Sequence, residues 1–355
     1  MKKHTFAIFY TLLLIAATVW SLLDTFVIAD KITVVDESTA NTSIFLDLEN
    51  ASASVGASEN NVEALASDSG LASAVNELAL STVSDSALDE SVAVADSASG
   101  DDTESNSEFP IITETSYQDA NIQISIETIR AYDTDIYIAD VVVSNVAYLK
   151  TALAQNTFGT NVKDTTSTIA AEHEAILAIN GDYYGFRNTG FVIRNGVLYR
   201  TAARSGSNDA LVVQADGSFE IVDESRSDAQ ALYDAGALQV FSFGPGLIEN
   251  GEIAVTSDSE VSKSRSSNPR TAIGMIDPLH YIFVVSDGRT SQSAGLSLLE
   301  LAEIMQSYGA TEAYNLDGGG SSTMVFNGEV VNNPTDGRSN GERRVSDIIY
   351  IGENL

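Results

Sequence analysis

Between Lys31 and Arg130 the chain has no lysine or arginine, and residues 36–108 are dominated by Ser, Ala, Asp and Glu with scarcely an aromatic side chain. Such a stretch buries too little apolar surface to offset its ordering entropy, and its like charges repel. It cannot supply a core, so a packed fold is confined to the residues C-terminal to it. We read residues 30–116 as a disordered acidic stalk and residues 117–355 as the folded domain. Ahead of the stalk, Lys2 and Lys3 precede an apolar run over 6–23 that resumes through Phe26, Val27 and Ile28. Basic residues before about 18 apolar ones suit a signal peptide or a membrane anchor. The length favours an uncleaved single-pass anchor over 1–29, holding the C-terminal domain outside the cell membrane by the positive-inside rule. Cleavage after Val27-x-Ala29, giving a secreted protein, is the alternative.

Composition removes several function classes. The net charge is −32, and from residue 117 onward 31 acids still face 15 basic residues. Nucleic-acid binding needs a basic footprint, so nucleic acid is not expected as a partner. The absence of cysteine excludes disulfides, thiolate catalysis and cysteine-zinc sites. His4, His173 and His280 are scattered without metal-ligand spacing, and no EF-hand or calcium-repeat pattern occurs. We expect no metal and no cofactor, and no protein partner can be inferred.

Residues 121–129 alternate Ile122, Ile124 and Ile126, the period of a strand, and 136–143 reads as its hairpin partner. Asn-Gly recurs at 195–196, 250–251 and 327–328 between apolar residues, the strongest short hairpin signal because both positions take φ > 0. Residues 146–155 read as a short helix or irregular connection. The clearest helix is 297–308, where Leu298, Leu301, Ala302, Met305 and Tyr308 share a face and Ser297 with Glu300 forms a capping box. Many strands and few helices predict an α+β class: a single mixed, mostly antiparallel, sheet-rich domain.

Three predicted strands empty into carboxylates and glycines: Asn180-Gly181-Asp182, Asp287-Gly288-Arg289 and Asn315-Leu316-Asp317 followed by Gly318-Gly319-Gly320-Ser321-Ser322. Successive glycine amides can form an anion-binding nest, and Asp317 stands at its entrance. No Gly-Lys-Ser follows, so this is not a P-loop. A tight strand connection, with Asp317 bonding its own turn, is the competing reading. Arg270, after Asn268-Pro269, and Arg343-Arg344 before the last strand add cationic groups suited to an anionic substrate.

The stretches AINGDYYGFRNTGFVIRNGVLY (178–199), FGPGLIENGEI (243–253), NPRTAIG (268–274), VVSDGR (284–289), the block over 295–334 centred on NLDGGGSST, and RRVSDIIYI (343–351) resemble the phosphodiester glycosidase family, in order, over roughly residues 117–355. The resemblance implies hydrolysis of the sugar–phosphate bond of a glycosyl phosphodiester, with N-acetylglucosamine among the sugars, in cell-wall, exopolysaccharide or glycolipid metabolism. A non-catalytic surface module that binds glycosyl phosphates is the alternative. Under the catalytic reading Asp317 is the first choice of carboxylate, Asp287 the second, and Arg270 steadies the departing phosphate. Gly318, Gly319, Gly320, Ser321, Ser322 and Arg344 would hold the phosphate, Asn180 and Asn315 would fix sugar hydroxyls or orient a carboxylate, Asp182 would contact the substrate, and Tyr184 would pack on the sugar ring.

Overall fold

The computed structural model describes residues 13–15, 18, 30–32, 110–259, 267–337 and 339–353. Most of the expected anchor and most of the expected stalk lie outside these residues. No helix among the described residues is long and apolar enough to cross a membrane.

Three sheets carry the domain. The largest has nine strands in the spatial order Glu252–Ile253, Gly246–Glu249, Glu312–Asn315, Arg270–Asp277, His280–Ser286, Thr134–Val143, Ile122–Ala131, Ser116–Gln118 and Ile111–Ile112. A five-stranded sheet runs Glu329–Val330, Met324–Phe326, Leu177–Asn180, Asp347–Ile351 and Leu149–Leu153. A second runs Val197–Arg200, Val192–Arg194, Gln239–Phe241, Asp209–Val213 and Phe219–Asp223. Every ladder among the described residues of these sheets is antiparallel, not mixed. The reason is strand insertion. Asp347–Ile351 separates Leu149–Leu153 from Leu177–Asn180, and Arg270–Asp277 separates His280–Ser286 from Glu312–Asn315. The strands joined by each helical crossover therefore never meet.

Side-chain alternation builds the core. Ile273 and Met275, with Tyr281, Phe283 and Val285, point to an interior shared with Leu177, Ile179, Leu211, Val213 and Ile349 of the two smaller sheets. Ala272, Ile282 and Val284 point the other way, onto Leu298, Leu301, Ala302 and Met305 of helix Leu298–Ser307. Its capping box is formed as predicted. Gly274 lets the helix approach, since a β-carbon there would stand 2.7 Å from the Met305 methyl. Helices Thr166–Glu172 and Ala229–Asp234 cover the outer faces of the two smaller sheets in the same way.

The three Asn-Gly turns all have both residues at positive φ. Two boundaries differ from expectation. Leu149–Leu153 is a strand, its amide at Thr151 held by the Asn195 carboxamide at 2.9 Å, a contact between residues 44 apart that no local pattern records. The domain also begins earlier, because Ile111–Ile112 pairs with Ser116–Gln118 on the large sheet. Asp30–Ile32, in turn, pairs with Phe158–Thr160.

Candidate active site

The ends of strands from different sheets converge on one cleft of about 490 Å³. Asn315, Asp317, Gly318 and Gly319 enter it from the glycine loop, Arg270 and Asn268 from the adjacent strand entrance, and Phe243, Gly244 and Pro245 from the second five-stranded sheet. Among the described residues, Arg187, Arg204 and Arg289 complete a wall of four arginines, against two lining carboxylates, Asp209 and Asp317. In a strongly acidic chain this is a local reversal of sign.

Asp317 keeps some exposure to the cleft. Burial nevertheless raises its carboxyl above the ordinary aspartate range, outweighing the lowering influence of the Ser321 hydroxyl, of Arg343 and of Arg187. Ser321 Oγ donates to Asp317 Oδ2 at 2.6 Å. The Asn180 carboxamide donates to the Asp317 main-chain oxygen at 2.7 Å and accepts from Thr271 Oγ1 at 2.8 Å. Asp209 is otherwise occupied, its Oδ2 accepting the Gly246 amide at 3.0 Å.

The three glycines are demanded by close packing on three different neighbours. A β-carbon on Gly318 would lie 2.8 Å from the Pro269 carbonyl oxygen; one on Gly319, at φ +68°, would lie 2.9 Å from Arg289 Nη2; one on Gly320 would lie 2.6 Å from Asp336 Oδ1 and 2.9 Å from Arg343 Nε. The expected anion nest is only partly present. The Gly319 amide is spent on the Pro269 carbonyl at 2.8 Å, and the Ser321 and Ser322 amides close a short 3-10 turn.

Several expected site residues lie elsewhere. Asp287 borders a separate pocket, its carboxylate engaged by the Asn333 amide and side chain at 2.8 and 2.9 Å and by the Tyr137 hydroxyl at 3.3 Å. Asp182 is buried and paired with Arg194 at 3.0 Å, while its two oxygens accept the Tyr184 and Ser242 amides. Arg194 also binds Asp347 at 2.8 Å. This triad sits between the sheets, where pairing with Arg194 offsets the desolvation of Asp182 while burial prevails at Asp347. Tyr184 is 1% exposed, stacked on Phe158 with centroids 5.0 Å apart, so it cannot pack on a sugar. Asn180, Gly320, Ser321 and Ser322 shape the loop from behind without lining the cleft. Arg344 is exposed and does not line it either; Arg343 faces the loop, paired with Asp336 at 2.8 Å.

Sequence reasoning named Arg270, Asn315, Asp317, Gly318 and Gly319 as site residues, and these five line one cleft. It missed Arg187, Arg204 and Phe243 and left Arg289 without a role. Arg204 is a brace: Nε contacts Glu224 at 2.6 Å, and Nη1 and Nη2 donate to the Phe243 and Asp209 carbonyls, each at 2.7 Å. Arg289 donates from Nε and Nη2 to Asn268 Oδ1 at 3.1 and 2.9 Å. Arg289 ends the stretch VVSDGR, whereas Arg204 carries no local signal beyond standing two residues before Gly206.

The phosphodiester glycosidase family profile matches residues 173–352, and the chain belongs to that family. It is 30% identical over 200 residues, 55% of its length, to the SPbeta prophage-derived uncharacterized protein YomE of Bacillus subtilis (strain 168). It is 29% identical over 197 residues, 50% of its length, to N-acetylglucosamine-1-phosphodiester alpha-N-acetylglucosaminidase of Mus musculus. The chain spans about a third of these relatives' own lengths, 30% and 37% respectively. In fold it is similar to the catalytic domain of the zebrafish enzyme of the latter name, with a TM-score of 0.53 at 21% identity, covering 66% of this chain and 83% of that one.

Proposed function

We propose that the domain hydrolyses the sugar–phosphate bond of a glycosyl phosphodiester, and that Asp317 is its general base. One observation carries this reading: a carboxylate of raised proton affinity lines an arginine-walled cleft. Raised affinity suits a base that must take a proton near neutral pH. In the step we assign, a water oxygen bonds to the anomeric carbon while Asp317 takes the water's proton. The bond from that carbon to the phosphate oxygen breaks, and the electron pair leaves on the phosphate. A phosphate monoester is a good leaving group, so the arginines stabilise its charge and no second carboxyl is needed to protonate it. This fits the placement of Asp287 outside the cleft. The names of the mammalian relatives support an N-acetylglucosaminyl substrate, and the N-terminal apolar run supports a surface-anchored enzyme.

The test is hydrolysis of a nitrophenyl N-acetylglucosaminyl phosphodiester in ¹⁸O-water by the full chain. Label in the sugar with inverted anomeric configuration, and a loss of about 10²–10⁴-fold in Asp317→Asn, are expected. Label in the phosphate would mean attack at phosphorus and overturn the glycosyl-bond reading, and full activity in that variant removes Asp317 from the reaction. Tight binding without turnover would instead mark a glycosyl-phosphate binding module.

A further inference from the structure

Arg187 lies in the stretch 178–199, where no local pattern sets it apart as a site residue. It follows the turn Tyr184–Phe186, and the structure sets its guanidinium 5.2 Å from the centroid of Tyr183 and 5.1 Å from that of Phe243. Nη1 donates to the Ser242 carbonyl at 3.1 Å. The Arg187 carbonyl is held in turn by Arg200 Nη1 at 2.6 Å. Arg194, Arg204 and Arg343 each have a carboxylate partner, whereas Arg187 has none among the described residues. A guanidinium keeps its charge at any working pH and presents five donors, of which the Ser242 contact uses one nitrogen's. Its charge reaches Asp317, where it lowers the carboxyl's proton affinity.

The Ser242 peptide is gripped at both ends. Asp182 Oδ2 accepts its N–H at 3.0 Å, and Arg187 donates to its C=O. Asp182 Oδ1 accepts the Tyr184 amide at 2.8 Å. One buried carboxylate thus joins the loop that carries Tyr183 and Arg187 to the strand end that carries Phe243. Arg194, itself fixed by Asp347, holds that carboxylate in place.

We propose that Arg187 is a specificity-determining residue that binds the substrate's phosphate from the Phe243 wall of the cleft, and that Asp182 positions it through the Ser242 peptide. A guanidinium flanked by aromatic faces, with no ion-pair partner among the described residues, rewards an anionic ligand and gives a neutral glycoside nothing. The inference rests on the hydrolase reading for its kinetic readout, and on binding alone for the other.

The experiment uses the full chain, with inorganic phosphate and UDP-N-acetylglucosamine as calorimetric probes. Arg187→Gln should weaken both at least tenfold while the thermal midpoint stays within a few degrees, and Arg187→Lys should fall between Gln and wild type. On hydrolysed substrates, Arg187→Gln should raise KM for the phosphodiester more than it lowers kcat. It should also cut the preference for phosphodiester over nitrophenyl N-acetylglucosaminide at least tenfold. Asp182→Asn should show the same phosphate defect, and the double variant should be no worse than Arg187→Gln alone. Additive losses would overturn the positioning role of Asp182. Unchanged phosphate affinity in folded Arg187→Gln, or in Arg187→Lys if the first does not fold, would overturn the proposal. If wild type turns nothing over yet Arg187→Gln loses anion binding, the hydrolase reading fails and this one stands.

Discussion

The Asn180 carboxamide donates to the main-chain oxygen of Asp317 across 2.7 Å, tying the end of a central strand of one sheet to the strand end of another. Asn180 Oδ1 accepts from Thr271 Oγ1 at 2.8 Å and from the Thr323 amide at 3.3 Å. One fully buried side chain thus sets the relative height of the glycine loop, the Arg270 strand and the strand after the loop. Asn180→Leu keeps the volume and orphans these partners, at roughly 1–3 kcal/mol for each buried group left unpaired. We expect a lower denaturation midpoint together with loss of turnover. A stable, fully active Asn180→Leu protein would show that the loop is fixed by other contacts.

Much of this arrangement was legible because its signals are local. Asn-Gly forces a positive-φ turn, apolar alternation marks strands, and Ser297 with Glu300 marks a helix start. The glycine loop stood out because three glycines are costly unless backbone and neighbours crowd them, and the structure supplies those neighbours. What failed was long-range. Tyr184, beside Asp182, looks like a sugar platform, yet Phe158 and Arg194 cover it. Arg194 sits in an ordinary-looking hairpin, and its partner Asp347 is 153 residues away. Asp287-Gly-Arg289 and Asp317-Gly-Gly share a local pattern, and only tertiary partners separate a structural carboxylate from a cleft one.

That separation is testable. Asp287 is 4% exposed and organises the turn at Asn332 and Asn333, whereas Asp317 faces the cleft. Asp287→Asn should therefore lower stability by roughly 1–3 kcal/mol through lost acceptors and leave kcat within about threefold. Urea denaturation paired with kinetics measures both. A loss of rate in Asp287→Asn as large as that in Asp317→Asn would place both carboxylates in the chemistry.

The glycines predict a rank order. The β-carbon of Gly318→Ala meets a backbone oxygen at 2.8 Å, and the Pro269 carbonyl cannot move without shifting Arg270. The β-carbon of Gly320→Ala meets the ends of Asp336 and Arg343, partly exposed side chains that can swing away. We expect Gly318→Ala to cost about 1–3 kcal/mol and most of the activity, and Gly320→Ala distinctly less. Equal thermal midpoints and equal rates for the two variants would contradict this account of the loop.

The buried triad predicts a pH dependence of stability. Burial, reinforced by the charge of Asp182, pushes the Asp347 carboxyl up to about 7, although Arg194 pulls it back. Asp182 is held below its ordinary value, chiefly by Arg194 working against burial. The two carboxylates act in opposite senses. Asp182 favours the fold above the unfolded aspartate value of 3.8, and that support is lost in acid. Asp347 binds its proton more tightly when folded, so its support is present in acid and is lost as pH rises from about 4 through about 7. Between pH 5 and 8 only Asp347 titrates within the triad. At 1.36 kcal/mol per unit, its contribution has a ceiling of roughly 4 kcal/mol. Asp347→Asn keeps an oxygen for Arg194 Nε and removes the titration. Urea midpoints at pH 5.5 and 8 should therefore fall more for wild type than for Asp347→Asn. Parallel pH profiles for the two proteins would mean that Asp347 is ionised throughout this range, with Arg194 compensating both carboxylates.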